Sequence, residues 1–596
     1  MKKRILACIL AVCLCGALFT GVFAAAPAAS NKQEATAAAA GAQTFAQMFP
    51  DANFRAYVTG VVLKDSTDPT GDNDSPTADQ MSVIENTRDI NVNSQNIRSL
   101  EGIAYFTDLE MLYCAGNQLT SLDVSKNTKL TELSCYSCQI SALNISSLQD
   151  LKVLHCYYNQ LTSLDVSKNI NLINLICDDN QLTSLDIGNN TKLTLLSCWN
   201  NQIPELNISA LLNLQSLFCG LNQLTSLDVS NNTKLTQLNC WSNQIPELDV
   251  SGTPNLKALD VSINQLISLD VSALSELETL SCSSNQLTSL DVNNNATLTW
   301  LNCDNNQIST LDVSILPALE TLSCSNNQLT SLDVSKNTKL TSLHCDNNQL
   351  TSLDVSNNTK LECLSCCSNQ IPELDVSTLP DLEILFCDGN KLTSLDVGKN
   401  TKLTTLDCYN NQLTELNVSG LTELVELICR SNQLTSLDLS QNKALQTHHL
   451  SPQNLVNTEL KLAKHASSYT LDLHALAPGI DLSRVTMTDG GWLNTATGIV
   501  TYTEKVEAVV YAYQTNLVGG AEMVVQWTAA YEDESMPGDL DGDGELTSAD
   551  VVLLARYLAG AETLTEAQLT AADLNADGVI TSADLVLLAR KVAGLE

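Results

Sequence analysis

The chain has 596 residues, 67 of them acidic and 30 basic, for a net charge of −37, and it carries 21 cysteines. A surface this acidic excludes nucleic acid and anionic lipid as natural partners. Beyond the N-terminal apolar run no stretch is long enough to span a bilayer, so membrane insertion is not expected.

Lys2, Lys3 and Arg4 form a charged n-region, Ile5 to Phe23 an apolar h-region, and Val22-Phe23-Ala24 a cleavage site. Residues 1–24 therefore read as a signal peptide, and the mature protein is expected to be secreted and extracellular. Cleavage removes three positive charges and three cysteines, taking the net charge from −37 to −40 and the 21 cysteines to 18. Ile5-Leu6-Ala7-Cys8 has a lipobox-like pattern, but too few apolar residues precede Cys8 for lipidation to be expected. Residues 25–42, rich in Ala, Gln, Ser and Thr, read as a flexible lead-in. Residues 43–108 read as an N-terminal cap. Within it Phe49 to Val58 has the pattern of a short amphipathic helix, and Lys64 to Gln80 reads as an acidic loop without calcium-ligand spacing.

From 109 to 454 one pattern dominates. Cysteine recurs every 21 residues from Cys114 to Cys429, with Val261 filling the single gap, and sixteen units run from Leu109 to Ala444. Such a period describes coils stacked on copies of themselves. Leu112 and Cys114 lie two apart, so both point inward from a short strand and Tyr113 points out. At about 4.8 Å per coil, the stack makes a rod or arc of about 75 Å with one continuous column of leucine and cysteine. Exported proteins rich in cysteine usually carry disulfides. Here cysteine stands where leucine would serve, so these thiols read as small buried apolar groups. The position of Asn117, repeated at Asn159, Asn180 and Asn201, places an amide in a turn, where it can pair with backbone groups of the next coil. Cys138 replaces it once and should weaken that rung. The pattern L-x-x-L-x-C-x-x-N-x-L resembles the leucine-rich repeat. With the second phrase Leu119-x-x-Leu122-x-Val124-x-x-Asn127 it looks like the nested bacterial class called IRREKO repeats. The resemblance implies a solenoid of short parallel strands.

The outward strand positions are uneven. Tyr136, Tyr157, Trp199 and Trp241 share one column, with Phe218 and Trp300 in adjacent columns. They form a candidate platform for a protein or glycan ligand on the concave repeat face, to be weighed against scattered exposed aromatics without a ligand. Gly220 lies between Trp199 and Trp241, which predicts a slot of about 10 Å between their rings. On the other phrase, Asp123 and its repeats through Asp438 form a carboxylate column, interrupted by Asn at three units. Neutralisation by the lysine of Asn-Thr-Lys is favoured there over a cation ladder. Cys363, Cys366 and Cys367 have poor geometry for zinc, since Cys366 points inward. His155 and His344 lie far apart, no catalytic motif is present, and an open face is expected to lack a pocket that could shift a pKa. An enzyme is therefore not expected.

Residues 455–530 are rich in β-formers, as in Tyr469-Thr470-Leu471-Asp472-Leu473 and Val509-Val510-Tyr511-Ala512-Tyr513, and read as a small all-β sandwich of immunoglobulin-like type. An acidic linker, 531–537, leads to 538–596. There Asp539, Asp541, Asp543 and Asp550 stand at loop positions 1, 3, 5 and 12, with Gly544 at 6 and the carbonyl of Glu545 at 7. Asp573, Asn575, Asp577, Gly578, the carbonyl of Val579 and Asp584 repeat the set. This is calcium coordination with Asp in place of Glu at position 12. A duplicated loop–helix of this kind resembles a type I dockerin, all-α and calcium-binding. The resemblance implies two Ca²⁺ ions and a cohesin module of a scaffoldin as partner. It also implies cohesin contacts at Ser548, Ala549 and Arg556, and at Ser582, Ala583 and Arg590. Attachment to a cellulosome or a cell surface follows from it too. The whole reads as a multidomain, non-catalytic binding or adhesion component of a polysaccharide-degrading complex. The alternatives are a dockerin-borne hydrolase of plant polysaccharide or protein, and a structural spacer.

Overall fold

The structure, a computed structural model, describes residues 43–64, 74–465, 468–531, 536–543 and 545–595. The expected signal peptide, the lead-in, residues 65–73, linker residues 532–535 and Gly544 lie outside the described residues.

The N-terminal cap begins with two short helices, Phe45–Met48 and Ala52–Tyr57, in place of one helix from Phe49 to Val58. Asp51 divides them. Its Oδ1 accepts from the N–H groups of Asn53 (2.9 Å) and Phe54 (3.1 Å), which starts the second helix. Its Oδ2 accepts from Arg98 (2.7 Å) and Ser99 (3.2 Å), which ties that helix to the first coil. Phe49, Phe54 and Phe106 pack beneath as a buried ring cluster. The acidic segment is not loop to its end. A helix occupies Ala78–Glu85, begun by a capping box of Thr77 and Gln80.

Eighteen three-residue strands stack in parallel in one sheet, from Asp89–Asn91 to Thr447–His449. The sixteen repeat strands thus gain one further strand at each end. Register is leucine on leucine, with Leu112 beside Leu133 and Leu133 beside Leu154. These leucines and all fifteen ladder cysteines are fully buried, and the 18 described cysteines are free thiols. Burial holds the thiols well above their usual pKa, so they are inert apolar groups.

The asparagine ladder points the opposite way from expectation. Asn159 Oδ1 accepts from the N–H of Ile140 (3.0 Å), and its Nδ2 donates to the carbonyls of Cys135 (2.9 Å) and Cys156 (3.0 Å). The pairing is therefore with the preceding coil. The residue before each asparagine lies in the left-handed region, as at Tyr158 (φ 52°) and Asp179 (φ 50°), and this turns the amide back and inward. Cys138 offers only a thiol, 3.5 Å from the carbonyl of Cys114. At the far end Gln453 occupies the ladder position. Its Nε2 donates to Cys429 (2.9 Å) and Leu450 (2.6 Å), and its Oε1 accepts from Leu434 (3.2 Å).

Gln453 also opens the long strand Gln453–His465 of the next domain. Seven strands form one barrel-like sheet in the order Val485–Met487, Ala508–Gln514, Glu522–Tyr531, Gln453–His465, Ser468–Asp472, Ile499–Tyr502, Trp492–Asn494. The long strand belongs to both halves. It pairs parallel with Glu522–Tyr531 and, past an irregularity between Leu455 and Leu460, antiparallel with Ser468–Asp472. This domain closes the open end of the solenoid. Tyr511 Oη donates to the carbonyl of Thr435 (2.8 Å), Arg484 Nη2 to that of Leu437 (3.2 Å), and the N–H of Leu439 to the carbonyl of Thr515 (2.8 Å). The C-terminal region is helical, with helices Ser548–Leu558, Glu566–Ala572 and Ser582–Val592 around Leu540, Leu554 and Leu588.

Candidate functional sites

The two C-terminal loops are built alike. Thr547 and Thr581 cap their helices by accepting from Ala549 (3.1 Å) and Ala583 (3.2 Å). Asp550 and Asp584, at position 12, are fully buried. Asp550 Oδ1 accepts from Leu540 (2.7 Å) and Asp541 (3.2 Å) while its Oδ2 accepts from Thr547 (2.8 Å). Asp584 makes the same bonds with Leu574 (3.1 Å), Asn575 (3.3 Å) and Thr581 (2.9 Å). One carboxylate thus closes each loop onto its helix.

In the first loop, carboxylate oxygens of Asp539, Asp541 and Asp543 lie within 4.8 Å of one another. Burial first, then the charges of Asp550, Asp543 and Asp539, push the Asp541 carboxyl upward. Hard oxygens in mutual repulsion fit a calcium ion. In the second loop Asn575 Nδ2 donates to Asp577 Oδ2 (2.9 Å), and Asp573 accepts from the N–H groups of Asp577 (3.1 Å) and Gly578 (2.8 Å). Gly578 is left-handed (φ 81°), as the turn at position 6 requires. Glu545 and Val579, at position 7, are exposed.

Ser548, Ala549 and Arg556, and Ser582, Ala583 and Arg590, are all exposed. Arg556 pairs with Glu562 (3.3 Å), and Arg590 Nη2 donates to the carbonyl of Leu595 (3.2 Å). Between them stand Val552 (55 % exposed) and Val586 (57 %), which sequence reasoning missed. Their place four residues after Ser548 and Ser582 was the signal, since i and i+4 share a helix face.

On the repeat face Tyr136 and Tyr157 stack at 4.2 Å with 7° between planes. The expected slot between Trp199 and Trp241 is closed: their rings stand 6.4 Å apart, tilted by 31°. Both lean into the space above Gly220, where a Cβ would lie 2.4 Å from Trp241 Cδ1 and 3.0 Å from Trp199 Cδ1. Phe218 and Trp300 are half-buried strand residues and join no ring pair among the described residues. Nor is the face uniformly open. A recess of about 290 Å³ lies between Tyr157 and Trp199, and burial pushes the carboxyls of Asp178 and Asp407 up to about 6. The expectation of a face without perturbed acids is overturned, because neighbouring coils cover one another's side chains.

The aspartate column is not neutralised by the lysine of Asn-Thr-Lys. Asp123, Asp165 and Asp333 each accept from the serine N–H two residues on (2.9 Å), and the hydroxyl and N–H of that serine hold them below the usual carboxylate range. The lysine charges that help lower them are those of Lys126, Lys168 and Lys336, three residues on in each case. The Asn-Thr-Lys lysines instead reach back one coil along their own column, Lys129 to Asp108 (2.5 Å) and Lys192 to Asn171 (2.7 Å).

Residues 537–593 match the type I dockerin domain, and residues 296–337 and 317–358 match paired leucine-rich repeats. Among solved structures, the chain is similar to the functional domain of InlJ from Listeria monocytogenes, which includes a cysteine ladder. Identity is 31 % over 82 % of this chain and 98 % of that one, with a TM-score of 0.61. A leucine-rich repeat protein of Leptospira interrogans shares 26 % identity over 64 % of this chain and 92 % of that one, with a TM-score of 0.47. The PEPR1–AtPEP1 complex shares 22 % over 68 % and 72 %, with a TM-score of 0.52. No curated protein matches the chain. Among the described residues no helix is long and apolar enough to cross a membrane.

Proposed function

Because this chain belongs to the internalin-type leucine-rich repeat proteins and carries a type I dockerin domain, we propose that it is a non-catalytic, secreted recognition component held in an extracellular complex. Two Ca²⁺ ions organise the tail. One is held by Asp539, Asp541, Asp543, the carbonyl of Glu545 and Asp550, and the other by Asp573, Asn575, Asp577, the carbonyl of Val579 and Asp584. Bound calcium supplies the positive charge that lets each cluster of oxygens close. The chain's own residues do the rest. Asp550 and Asp584 fix loop to helix, and the caps at Thr547 and Thr581 aim the helices.

The cohesin of a scaffoldin docks on Ser548, Ala549, Val552 and Arg556, or on the matching Ser582, Ala583, Val586 and Arg590. Both stripes have the same spacing and exposure, so either can serve. The scaffoldin belongs to a cellulosome-type assembly for polysaccharide degradation or to a related cell-surface complex. The repeat solenoid then displays its strand face to a protein ligand.

The observation that carries this reading is the match of 537–593 to the dockerin domain, with three carboxylates already converging in its first loop. The full chain should be captured by immobilised cohesins in calcium and released by EDTA. Capture that ignores EDTA, or none across a broad cohesin panel, would overturn it.

A further inference from the structure

The recess beside Tyr157 is a shallow hollow, open to solvent on its outer side. It is lined by Tyr157, Tyr158, Ile176, Asp178, Asp179 and Trp199. Tyr157 and Trp199 stand in one column two coils apart, about 10 Å at the usual strand spacing, with the short side chain of Asp178 between them. Each wall is braced from behind. Tyr136 stacks on the outer side of Tyr157, and Trp241 leans across Gly220 against Trp199. Tyr158 closes a third side, edge-on to Tyr157 at 5.6 Å.

The floor is an anchored carboxylate. Asp178 Oδ1 accepts from Ser197 Oγ (2.6 Å) and from the N–H of Trp199 (2.8 Å). Its Oδ2 accepts no hydrogen bond among the described residues. Asp179 stands beside it, with Oδ1 accepting from Asn200 (2.5 Å). Among the described residues no lysine or arginine forms an ion pair with either aspartate, and none occupies the outward strand columns of these coils. Farther along the face, Asp260, Asp304 and Asp407 continue the negative charge on half-buried or buried positions.

Two flat aromatic walls over a carboxylate with a spare oxygen suit a planar cation. A guanidinium can lie against one of the ring faces and donate to Asp178 Oδ2 at the same time. A neutral sugar ring can donate a hydroxyl to the same oxygen but gains nothing from the negative charge of the face. An ammonium would fill the gap between the walls less well. We infer that this recess receives an arginine side chain of a protein partner, which then lies along the acidic strand face. The charge complementarity of that face favours a basic protein over free arginine. The inference rests on the reading of the repeat face as a protein-recognition surface and adds what it recognises.

The test uses the full chain with ¹⁵N-labelled tryptophan and follows the indole N–H signals. Probes are an acetylated glycine–serine peptide bearing two arginines, its lysine and citrulline counterparts, free arginine, and cellohexaose. The arginine peptide should move the signals of Trp199 and Trp241 and leave those of Trp492 and Trp527. The lysine peptide should bind more weakly, and the citrulline peptide not at all. Asp178→Asn and Trp199→Ala should each weaken binding about tenfold or more, and Asp388→Asn, distant in the same column, by less than about twofold. Three results would overturn the inference: cellohexaose moving these signals while the arginine peptide does not; equal weakening by Asp178→Asn and Asp388→Asn; or free arginine binding as tightly as the peptide. Cohesin capture in calcium is read on the same samples. Failure of the recess with capture intact rejects the arginine site alone.

Discussion

Aspartate does three jobs in this chain, and the neighbours of each carboxylate decide which. At Asp123 hydrogen bonds from Ser125 stabilise the charged form and hold the carboxyl below its ordinary range. In the first dockerin loop the carboxylate oxygens of Asp539, Asp541 and Asp543 lie within 4.8 Å of one another, an arrangement that fits a cation. Asp407 is different. It is 7 % exposed, and burial outweighs the hydrogen bond from the N–H of Tyr409, so its carboxyl is pushed up to about 6. Its unfolded value is about 3.9. Below about pH 4 the group is protonated in both states and contributes nothing. Between about 4 and 6 the unfolded chain binds fewer protons than the native one, so stability falls as pH rises. Above about 6 the native state carries the full penalty, at most about 3 kcal/mol. Asn keeps an acceptor for Tyr409 without the charge. Asp407→Asn should therefore stabilise the protein by about 1–2 kcal/mol at pH 7.5 and by nothing measurable near pH 4, read from urea midpoints at both. A lower midpoint at pH 7.5 would refute this account. The two acidic loops were legible in the sequence because each lies within a dozen consecutive residues. Asp178 and Asp407 were not, because their burial comes from coils about 20 residues away in sequence.

At the scale of the coil, a rung is an exchange between neighbours. The asparagine amide accepts from one coil's N–H and donates to two coils' carbonyls, as Asn180 does with Leu161 (3.0 Å), Cys156 (3.1 Å) and Cys177 (3.1 Å). The coil of Cys138 has one long thiol contact in its place. Cys138→Asn should restore the bonds and stabilise the N-terminal coils by about 1–2 kcal/mol. The expected signature is slower amide exchange at Leu119 and a raised urea midpoint; unchanged protection at Leu119 would show that the rung was never weak. The 21-residue period made this element readable, since every inward position recurs and must meet its own copy. What the period could not supply was direction along the stack or the behaviour of rings over a gap. Trp199 and Trp241 close over Gly220 because an absent Cβ leaves room for a rotation that spacing alone does not encode.

Across the whole molecule the decisive fact is that apolar burial falls into two separate bodies. One continuous core runs from Phe45 through every coil to Trp527, sealed by the Phe49 cluster at one end and by the strand domain at the other. Neither seal was evident from the repeat itself, because caps are the places where a repeat must stop resembling its neighbours. The second body is small: Leu540, Leu554, Ala571, Ala572 and Leu588, with partly buried neighbours. So slight a core cannot hold opposed carboxylates together unaided. On the proposed reading the metal is part of its folding free energy, and the long core folds without it. Calorimetry of the full chain in calcium should show a large transition and a small one. EDTA should abolish the small one and move the large one by less than about 2 °C, a shift that corresponds to about 2 kcal/mol for a core of roughly 490 residues. If EDTA instead lowers the large transition, the aspartate column of the solenoid is itself a cation site, and the carboxylates paired there with serine N–H groups do more than start turns.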